Sequence, residues 1–208
     1  MLGKPAPDFT LPAVHREGNI SLADYRGKSH LLLAIFIGLY CPFCRRNIAQ
    51  LGGAIEKLRE LGVETLGVVA TELDNARLYF KYRPARIPLA ADPDLITHRA
   101  FGIPRRNVTD QLMRDYETLP INPTGEAPEP MPVKKLGPLL DQLDGFQRTE
   151  TDQRDVAHQW PQLKGQFLID RDGIVRWANV ELPSDGVPEV GKFPTDDELL
   201  AAAGRIAA

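Results

Sequence analysis

The sequence contains one uncharged strand-like segment that leads directly into two cysteines. Residues 31–37 are all apolar, and the run ends at Gly38. Cys41 and Cys44, the only cysteines in the chain, follow within a Cys-Pro-Phe-Cys motif. A continuous apolar run of this length is typical of a strand that is buried on both faces. The chain is therefore expected to fold around a strand that delivers two thiols to its carboxyl end.

An amphipathic helix is predicted immediately after this strand. Apolar residues recur every three or four positions with charged residues between them, which predicts one packed face and one solvated face. The apolar positions are Ile48, Leu51, Ile55, Leu58 and Leu61. Arg45 and Arg46 are interpreted as exposed charges of this helix, and Gly62 is expected to end it.

The first turn of this helix is a favourable place for reactive thiols. Unpaired backbone N–H groups and the positive end of the helix dipole stabilise a thiolate there. Thiols in Cys-x-x-Cys motifs can have a pKa of about 3.5–7.5 instead of about 8.5. Pro42 fixes its own φ and holds the two sulfurs one turn apart. This geometry predicts a reversible disulfide between Cys41 and Cys44.

The next apolar segment, residues 63–70, gives the order strand, helix, strand. That order predicts a parallel strand pair joined by a crossover helix, and hence an α/β fold. In such a unit the turn from the first strand into the helix lies at the carboxyl edge of the sheet, where open α/β sheets present reactive groups. The cysteines are therefore expected at that edge.

Shorter elements are predicted on both sides of this unit. Residues 3–19 favour a leading β-hairpin or extended arm, and residues 21–28 a capped turn. A helix is expected over 74–82, a short strand or extended link over 87–91, and a short helix over 95–101.

The C-terminal part returns to regular patterns. Two β-rich runs within residues 166–180 are separated by an Asp-Gly turn, which predicts a β-hairpin. A loop containing Pro183 and Pro188 follows. The final helix is expected to begin at Thr195 with a capping box.

Residues 105–162 differ from the rest of the chain because prolines crowd into a stretch with little periodicity. The prolines are Pro120, Pro123, Pro128, Pro130 and Pro132. One helix is expected, through Leu139, Leu140 and Leu143. The stretch has too little regular apolar content for its own core, so residues 1–208 are interpreted as one domain with 105–162 as a Pro-rich insertion. Trp160 is interpreted as a core anchor.

Composition excludes several classes of function. With 208 residues, a formal net charge of −3 and charges of both signs mixed throughout, the chain has no basic stripe for nucleic acid. The N-terminus lacks a signal-peptide pattern, and the longest apolar run is too short to span a bilayer. A cytoplasmic protein without nucleic-acid or membrane partners is therefore expected.

Two closely spaced cysteines in a reducing compartment are more typical of redox or metal chemistry than of a structural disulfide. A zinc site is not favoured, because a second cysteine pair is missing and the four histidines lack ligand spacing. An inert buried pair is not favoured either, because both thiols lie at a helix start. No metal or other cofactor is expected.

Four segments carry a resemblance to a known family. They are GKPAPDFTLP at 3–12, LADYRGK at 22–28, YCPFC at 40–44 and FLIDRDG at 167–173. Together they resemble the peroxiredoxin-like branch (alkyl hydroperoxide reductase and thiol-specific antioxidant) of the thioredoxin-fold superfamily. The resemblance covers residues 3–103 and 163–208 and leaves the insertion outside. It implies a thioredoxin-like fold, a central mixed sheet flanked by helices, with an N-terminal β extension and the insertion before the C-terminal hairpin.

The resemblance also suggests roles for individual residues. Cys44 falls where peroxiredoxins carry the peroxidatic cysteine, and Cys41 where they carry a threonine that orients the peroxide. Ile37 replaces the usual proline, so the peroxiredoxin triad is not intact. Lys164 falls where peroxiredoxins place an arginine and thioredoxins a cis-proline, and a lysine lacks the bidentate geometry of arginine. The expected site is the catalytic pair Cys41 and Cys44, with Tyr40 and Lys164 binding substrate.

The order in which the two thiols react stays open at this point. In thioredoxin-like proteins the first cysteine attacks, which would be Cys41. In the peroxiredoxin register Cys44 is oxidised to a sulfenic acid and Cys41 condenses with it. Both routes end in a Cys41–Cys44 disulfide, which an external thiol reductant, such as a thioredoxin- or glutaredoxin-type protein, must reopen.

Three functions are compatible with these observations. The leading one is a thiol-dependent peroxidase that reduces hydrogen peroxide or organic hydroperoxides. The second is a thiol-disulfide oxidoreductase acting on protein disulfides, which the absence of a cis-proline at Lys164 weakens. The third is a redox sensor or scaffold in which the disulfide reshapes the insertion. The resemblance leaves a homodimer open, with the insertion either mediating it or covering the active site.

Overall fold

Short strands and helices alternate along the chain. The computed structural model describes residues 1–181 and 190–207, so the predicted loop with Pro183 and Pro188 lies outside the described residues. The strands are β1 (Thr10–Pro12), β2 (Asn19–Ser21), β3 (His30–Phe36), β4 (Val63–Val69), β5 (Leu89–Ala91), β6 (Pro120–Ile121), β7 (Met131–Pro132), β8 (Gly165–Ile169) and β9 (Val175–Val180). The helices are α1 (Pro42–Glu60), α2 (Leu73–Tyr82), α3 (Ile96–Ala100), α4 (Asp110–Thr118), α5 (Val133–Leu143), α6 (Glu150–Gln159) and α7 (Asp196–Ala207).

The apolar run of β3 forms the centre of a mixed sheet. Among the described residues, five strands pair in the order β5-β4-β3-β8-β9, with β3 parallel to β4 and antiparallel to β8. Leu31 to Phe36 are all buried, as expected for a strand covered on both faces. The predictions of a parallel β3–β4 pair and of a mixed sheet flanked by helices are therefore confirmed.

Alternate residues of β3 serve two different hydrophobic clusters. Leu32, Ala34 and Phe36 belong to the cluster that contains the buried face of α1. The alternate set Leu31, Leu33 and Ile35 belongs to a second cluster that includes the N-terminal arm. This follows from the two-residue period of a strand. β3 is thus held from both sides, which fixes the position of the turn that follows it.

The helix that carries the cysteines has the predicted amphipathic face. Its apolar positions from Ile48 to Leu58 are buried. Gly62, expected to end the helix, lies just beyond its last residue with a φ of 71°, a backbone conformation that favours glycine. The other predicted elements are also confirmed, including the β1–β2 hairpin and the β8–β9 hairpin. The capping box before α7 forms between Thr195 and Glu198.

The insertion contains more regular structure than the sequence pattern indicates. The helix expected near Leu140 is confirmed as α5, whereas α4 and α6 were not predicted. Both are short and polar, and their starts are fixed by Thr109 and Thr149, whose hydroxyls accept a hydrogen bond from the third helical N–H. Several insertion residues belong to the cluster that contains α1: Ile121, Val133, Leu136 and Leu140. The interpretation of residues 1–208 as one domain stays a prediction.

Two expectations about single side chains are wrong. Trp160 is not a core anchor, because 42% of it is exposed. Arg45 is not an exposed charge, because only 6% of it is accessible. Arg45 contacts carboxylates of the insertion and Trp160 belongs to the insertion, and local sequence patterns do not reveal how the insertion packs. Within the described residues, no helix combines the length and apolar character needed to cross a membrane.

Candidate active site

The two cysteines occupy the start of α1, as the sequence predicts. Cys41 is the N-cap residue, Pro42 is the first helical residue, and the backbone N–H of Cys44 donates to Cys41 Sγ at 3.3 Å. Both cysteines are in the free thiol form. A capping contact of this kind normally uses an oxygen acceptor, so the sulfur of Cys41 receives the stabilisation that a helix start gives to an anion.

The loop between β3 and α1 is held at its backbone. The N–H of Gly38 donates to Gln159 Oε1 at 2.7 Å, and Arg45 Nη1 donates to the carbonyl of Leu39 at 2.7 Å. A Cβ at Gly38 would lie 2.8 Å from the ring of Tyr40, so the close approach requires glycine. Two successive residues of the loop, Gly38 and Leu39, are therefore held by hydrogen bonds just before Cys41.

The environments of the two thiols differ. A hydrogen bond from the Cys44 side chain lowers the pKa of Cys41 to about 7, and the charge of Lys164 and the Cys44 backbone N–H act in the same direction against burial. Burial and the neighbouring Cys41 raise the pKa of Cys44. Cys41 is 9% exposed and Cys44 is 1% exposed. Cys41 is therefore the thiol that ionises near neutral pH, and Cys44 is the protonated thiol behind it.

Lys164 lies beside the thiols and is almost fully buried, with 4% of its surface exposed. Its Nζ donates to Asn47 Oδ1 at 2.9 Å and lies 3.7 Å from Glu181 Oε1. It lines the same groove as both cysteines. A buried cation with two acceptors has a fixed position, and here its field stabilises the Cys41 thiolate.

Tyr40 is the other predicted substrate-binding residue. It is 7% exposed, lines the groove next to Cys41, and its buried hydroxyl has no hydrogen-bond partner among the described residues. Burial, followed by the neighbouring thiols, raises the pKa of this phenol. Tyr40 therefore keeps its proton and has a free donor at the site.

A groove of about 370 Å³ opens above the thiols, and we call it the thiol groove. Its lining includes Tyr40, Cys41, Cys44, Lys164 and Glu181. The insertion supplies much of the wall, both apolar and charged: Leu112, Met113 and Tyr116 from α4, Val133, Lys134, Gly137 and Pro138 from α5, Trp160, Pro161 and Gln162 after α6, and Arg106 and Arg148 from the segments between helices. The peptide bond between Trp160 and Pro161 is cis.

A charged cluster joins α1 to the insertion just beyond Cys44. The guanidinium of Arg45 donates to Asp144 Oδ2 from Nε at 2.9 Å and from Nη2 at 2.6 Å, and to Asp141 Oδ1 at 2.7 Å. It also lies 3.9 Å from the centre of the Phe146 ring. Arg46 Nη1 donates to Asp144 Oδ2 at 2.9 Å. The guanidinium groups of both arginines therefore pair with carboxylates of the insertion and are not fully solvated.

Several residues at the site were not identified from the sequence. Asn47 orients Lys164, Gln159 holds Gly38, and Tyr116 forms part of the groove wall. Only Asn47 could have been identified from neighbouring residues. It is a polar residue one helical turn after Cys44, next to the apolar position Ile48, and so lies on the same face as Cys44. The others depend on where the insertion packs, which the sequence does not specify.

Comparisons with known proteins agree with this architecture. The chain matches the model of the AhpC/TSA family over residues 2–178. It is 32% identical over 111 residues to Peroxiredoxin-2 of Cricetulus griseus, covering 49% of this chain and 56% of that protein. It is 24% identical over 150 residues to the thiol-disulfide oxidoreductase ResA of Bacillus cereus, covering 72% of this chain and 73% of that protein. The chain spans about half the length of the peroxiredoxins that it matches.

Solved structures share the fold at low identity. The reduced 2-Cys peroxiredoxin of Plasmodium vivax aligns with a TM-score of 0.60 at 19% identity, covering 97% of this chain and 79% of that one. A protein from Chlorobium tepidum described as a thiol:disulfide interchange protein DsbE aligns with a TM-score of 0.55 at 20% identity, covering 98% and 99%. The fold is thus α/β and thioredoxin-like. Because the family match extends over most of the sequence, the chain belongs to the AhpC/TSA family.

Proposed function

We propose that this protein is a thiol-dependent peroxidase that works through a Cys41–Cys44 dithiol/disulfide cycle. The observation that carries the proposal is the asymmetry of the pair: both thiols line the thiol groove, but Cys41 is 9% exposed with a pKa lowered to about 7, whereas Cys44 is 1% exposed with a raised pKa. This supports Cys41 as the attacking thiolate. It differs from the peroxiredoxin register, in which Cys44 would attack first.

The proposed reaction has two steps. The Cys41 thiolate attacks one peroxide oxygen, the O–O bond breaks, and Cys41 becomes a sulfenic acid while the other oxygen leaves and takes a proton as alcohol or water. The Cys44 thiol then attacks the sulfenic sulfur, an S–S bond forms, and the sulfenic hydroxyl leaves with the Cys44 proton as water. The sum consumes two thiols and one hydroperoxide and yields one disulfide, one alcohol and one water.

Two further residues have proposed roles in the first step. Lys164 stabilises the thiolate through its fixed positive charge. Tyr40, whose hydroxyl has no hydrogen-bond partner among the described residues, donates it to the peroxide oxygen that leaves, where negative charge develops. Lys164 stands where the resemblance places an arginine, and its ammonium lacks the bidentate donor geometry of a guanidinium.

Completion of the cycle requires an external reductant. We infer a thiol protein of the thioredoxin or glutaredoxin type, because a thiolate must attack the Cys41–Cys44 disulfide and Cys41 is the more accessible sulfur. A cytoplasmic location fits a catalytic disulfide that must be reduced again. A homodimer stays a prediction.

The test follows oxidation of the reduced protein by one equivalent of hydroperoxide, using rapid-quench mass spectrometry. In Cys44→Ser we expect a sulfenic acid that dimedone traps on Cys41. In Cys41→Ser we expect oxidation of Cys44 no faster than that of an ordinary free thiol. Faster trapping on Cys44 in Cys41→Ser would overturn the order, and slow oxidation of the wild type would overturn the peroxidase function.

A second candidate is thiol-disulfide exchange with a protein disulfide. The same asymmetry favours it, because exchange also needs an accessible, low-pKa first thiol and a buried second thiol. Reduction of insulin disulfides by the reduced protein in the absence of peroxide would support exchange. Negligible turnover in both assays would instead favour a redox sensor.

A further inference from the structure

One face of α6 is both polar and buried. Asp152, Asp155 and Gln159 follow one another at intervals of three and four positions, which places them on one side of the helix, and all three are buried. A buried helix face is normally apolar, because polar groups lose their hydration on burial. The attachment of α6 to the core therefore depends on how these three side chains are paired.

Gln159 connects α6 to residues 37–41, the segment between β3 and α1 that presents Cys41 and that we call the thiol loop. Its Oε1 accepts a hydrogen bond from the N–H of Gly38 at 2.7 Å, and its Nε2 donates to the carbonyl of Ala70, the residue after β4. The side-chain amide is thus paired with the backbone of two core segments. Gly38 keeps its buried acceptor only while α6 is docked against the core.

The two carboxylates on the same face are held by neutral donors. Asp155 Oδ2 accepts from Thr71 Oγ1 at 2.5 Å, and Asp152 Oδ1 accepts from Asn75 Nδ2 at 3.2 Å. Within residues 1–181 and 190–207, neither carboxylate forms an ion pair. Buried carboxylates are normally paired with a cation, because burial without one disfavours the charged form. The negative charge on the buried face of α6 is therefore not compensated by a direct ion pair.

Asp155 is the carboxylate whose charge opposes docking. Burial raises its pKa to about 6 against the hydrogen bond from Thr71, and the neighbouring carboxylates act with burial. The titratable and charged groups that face it are Asp152 and Arg154 on α6, Glu72 before α2, and Tyr40 in the thiol loop. An ordinary aspartate has a pKa of about 3.9, so docked α6 keeps a proton that undocked α6 releases. Docking is favoured fully below about pH 4, and this contribution is lost as the pH rises through about 6.

We propose that α6 is a pH-sensitive clamp on the thiol loop, which holds Gly38 firmly when Asp155 is protonated and releases it more readily when Asp155 is charged. The step transfers one proton between Asp155 and water and changes no other bond than the hydrogen bonds of α6. Asp155 is a positioning residue, because it acts on Cys41 only through Gln159 and Gly38. The clamp loosens just below the pH at which Cys41 becomes a thiolate, so this buried sulfur gains access to large partners as it ionises.

Hydrogen exchange of the Gly38 amide measures the clamp directly, because this N–H is the donor to Gln159. Protection factors, corrected for the intrinsic exchange rate at each pH, are measured by NMR on the reduced protein between about pH 4.5 and 7.5. In the wild type we expect the protection factor to fall at least about tenfold with a midpoint near 6, since tenfold is the ratio that one pKa unit represents. A protection factor that does not fall over this range overturns the proposal.

Two variants of α6 show whether Asp155 causes the fall. Asp155→Asn keeps the size of the side chain and an acceptor for Thr71 but cannot become charged, so its protection factor should stay high across the range. Glu150→Gln is the matched control, because it removes a carboxylate from an exposed position of the same helix and should keep the fall of the wild type. A fall in Asp155→Asn as large as in the wild type would assign the pH dependence to another group and overturn the proposal.

A second measurement uses the wild type alone and does not depend on the folding of a variant. The side-chain carboxyl of Asp155 is titrated by ¹³C NMR, and we expect a midpoint near 6. A midpoint near the ordinary value of about 3.9 would mean that docking does not retain the proton, and the clamp would be excluded. Neither measurement uses a peroxide, so the outcome is independent of the proposed peroxidase function.

Discussion

Arg45→Met tests the charged cluster that joins α1, the helix carrying the two cysteines, to the insertion. The side chain of Arg45 is 3% exposed and donates to Asp141, to Asp144 and to the carbonyl of Leu39. Methionine keeps most of the apolar volume but removes every one of these hydrogen bonds. The carboxylates and the carbonyl then lose a buried partner, and the segment before Cys41 loses one of its supports.

The expected loss of stability in Arg45→Met depends on whether Asp141 and Asp144 keep other cationic partners. Breaking a buried ion pair by removing one partner typically costs about 3–5 kcal/mol. Asp144 keeps Arg46 at 2.9 Å, and Asp141 keeps Arg148 at 3.5 Å, so neither carboxylate is left alone. We therefore expect the lower end of the range, a loss of about 3 kcal/mol in the free energy of unfolding.

The assay is urea denaturation of the reduced protein, with Arg59→Met as the matched control. Arg59 lies on the same helix and pairs with Glu56 at 3.1 Å and Glu64 at 3.3 Å, but its side chain is 42% exposed. An exposed pair contributes only about 0–1 kcal/mol. If Arg45→Met lowers the free energy of unfolding no more than Arg59→Met does, the buried cluster does not stabilise the fold as we argue.

Further predictions concern the thiols and the loop before them. Because the pKa of Cys41 is lowered to about 7, its alkylation by iodoacetamide should rise with pH around a midpoint near 7, and a midpoint at the ordinary value of about 8.5 would contradict this. Lys164→Met removes a positive charge and should move that midpoint to higher pH, whereas Lys164→Arg should largely preserve it; equal midpoints in both variants would exclude the electrostatic role. Gln159→Ala leaves the buried N–H of Gly38 unpaired and should cost about 1–3 kcal/mol in urea denaturation, and a loss below about 0.5 kcal/mol would show that water replaces the amide.

The core of the fold could be predicted because its signals are local. The apolar run of β3 and the periodicity after it are properties of neighbouring residues, and they place Cys41 at a helix start without any knowledge of tertiary contacts. The same holds for the hairpin formed by β8 and β9. Local patterns therefore identified the thiols and the edge of the sheet where they lie.

The features that the sequence did not predict depend on contacts between residues that are far apart in the chain. Arg45 looks like a surface charge until Asp144 is known to lie against it, 99 positions later. The different pKa values of Cys41 and Cys44 depend on the hydrogen bond between the two thiols, which lowers one and raises the other, and on the burial of Cys44, so motif spacing alone left the order of attack open. Trp160 was assigned to the core because of its size, but its position at the groove depends on the path of the insertion.

The contacts of the loop before Cys41 show that the insertion supports the candidate active site. Gly38 is held by Gln159 from the insertion, while Leu39 is held by Arg45, whose own charge is balanced by insertion carboxylates. Without the insertion, the N–H of Gly38 would lose its buried acceptor, and Arg45 would lose its counter-ions. The core supplies a thiolate at a helix start, but the segment that presents it depends on residues that follow about 100 positions later. The position of Cys41 therefore depends on contacts that the insertion makes with the loop before it and with Arg45.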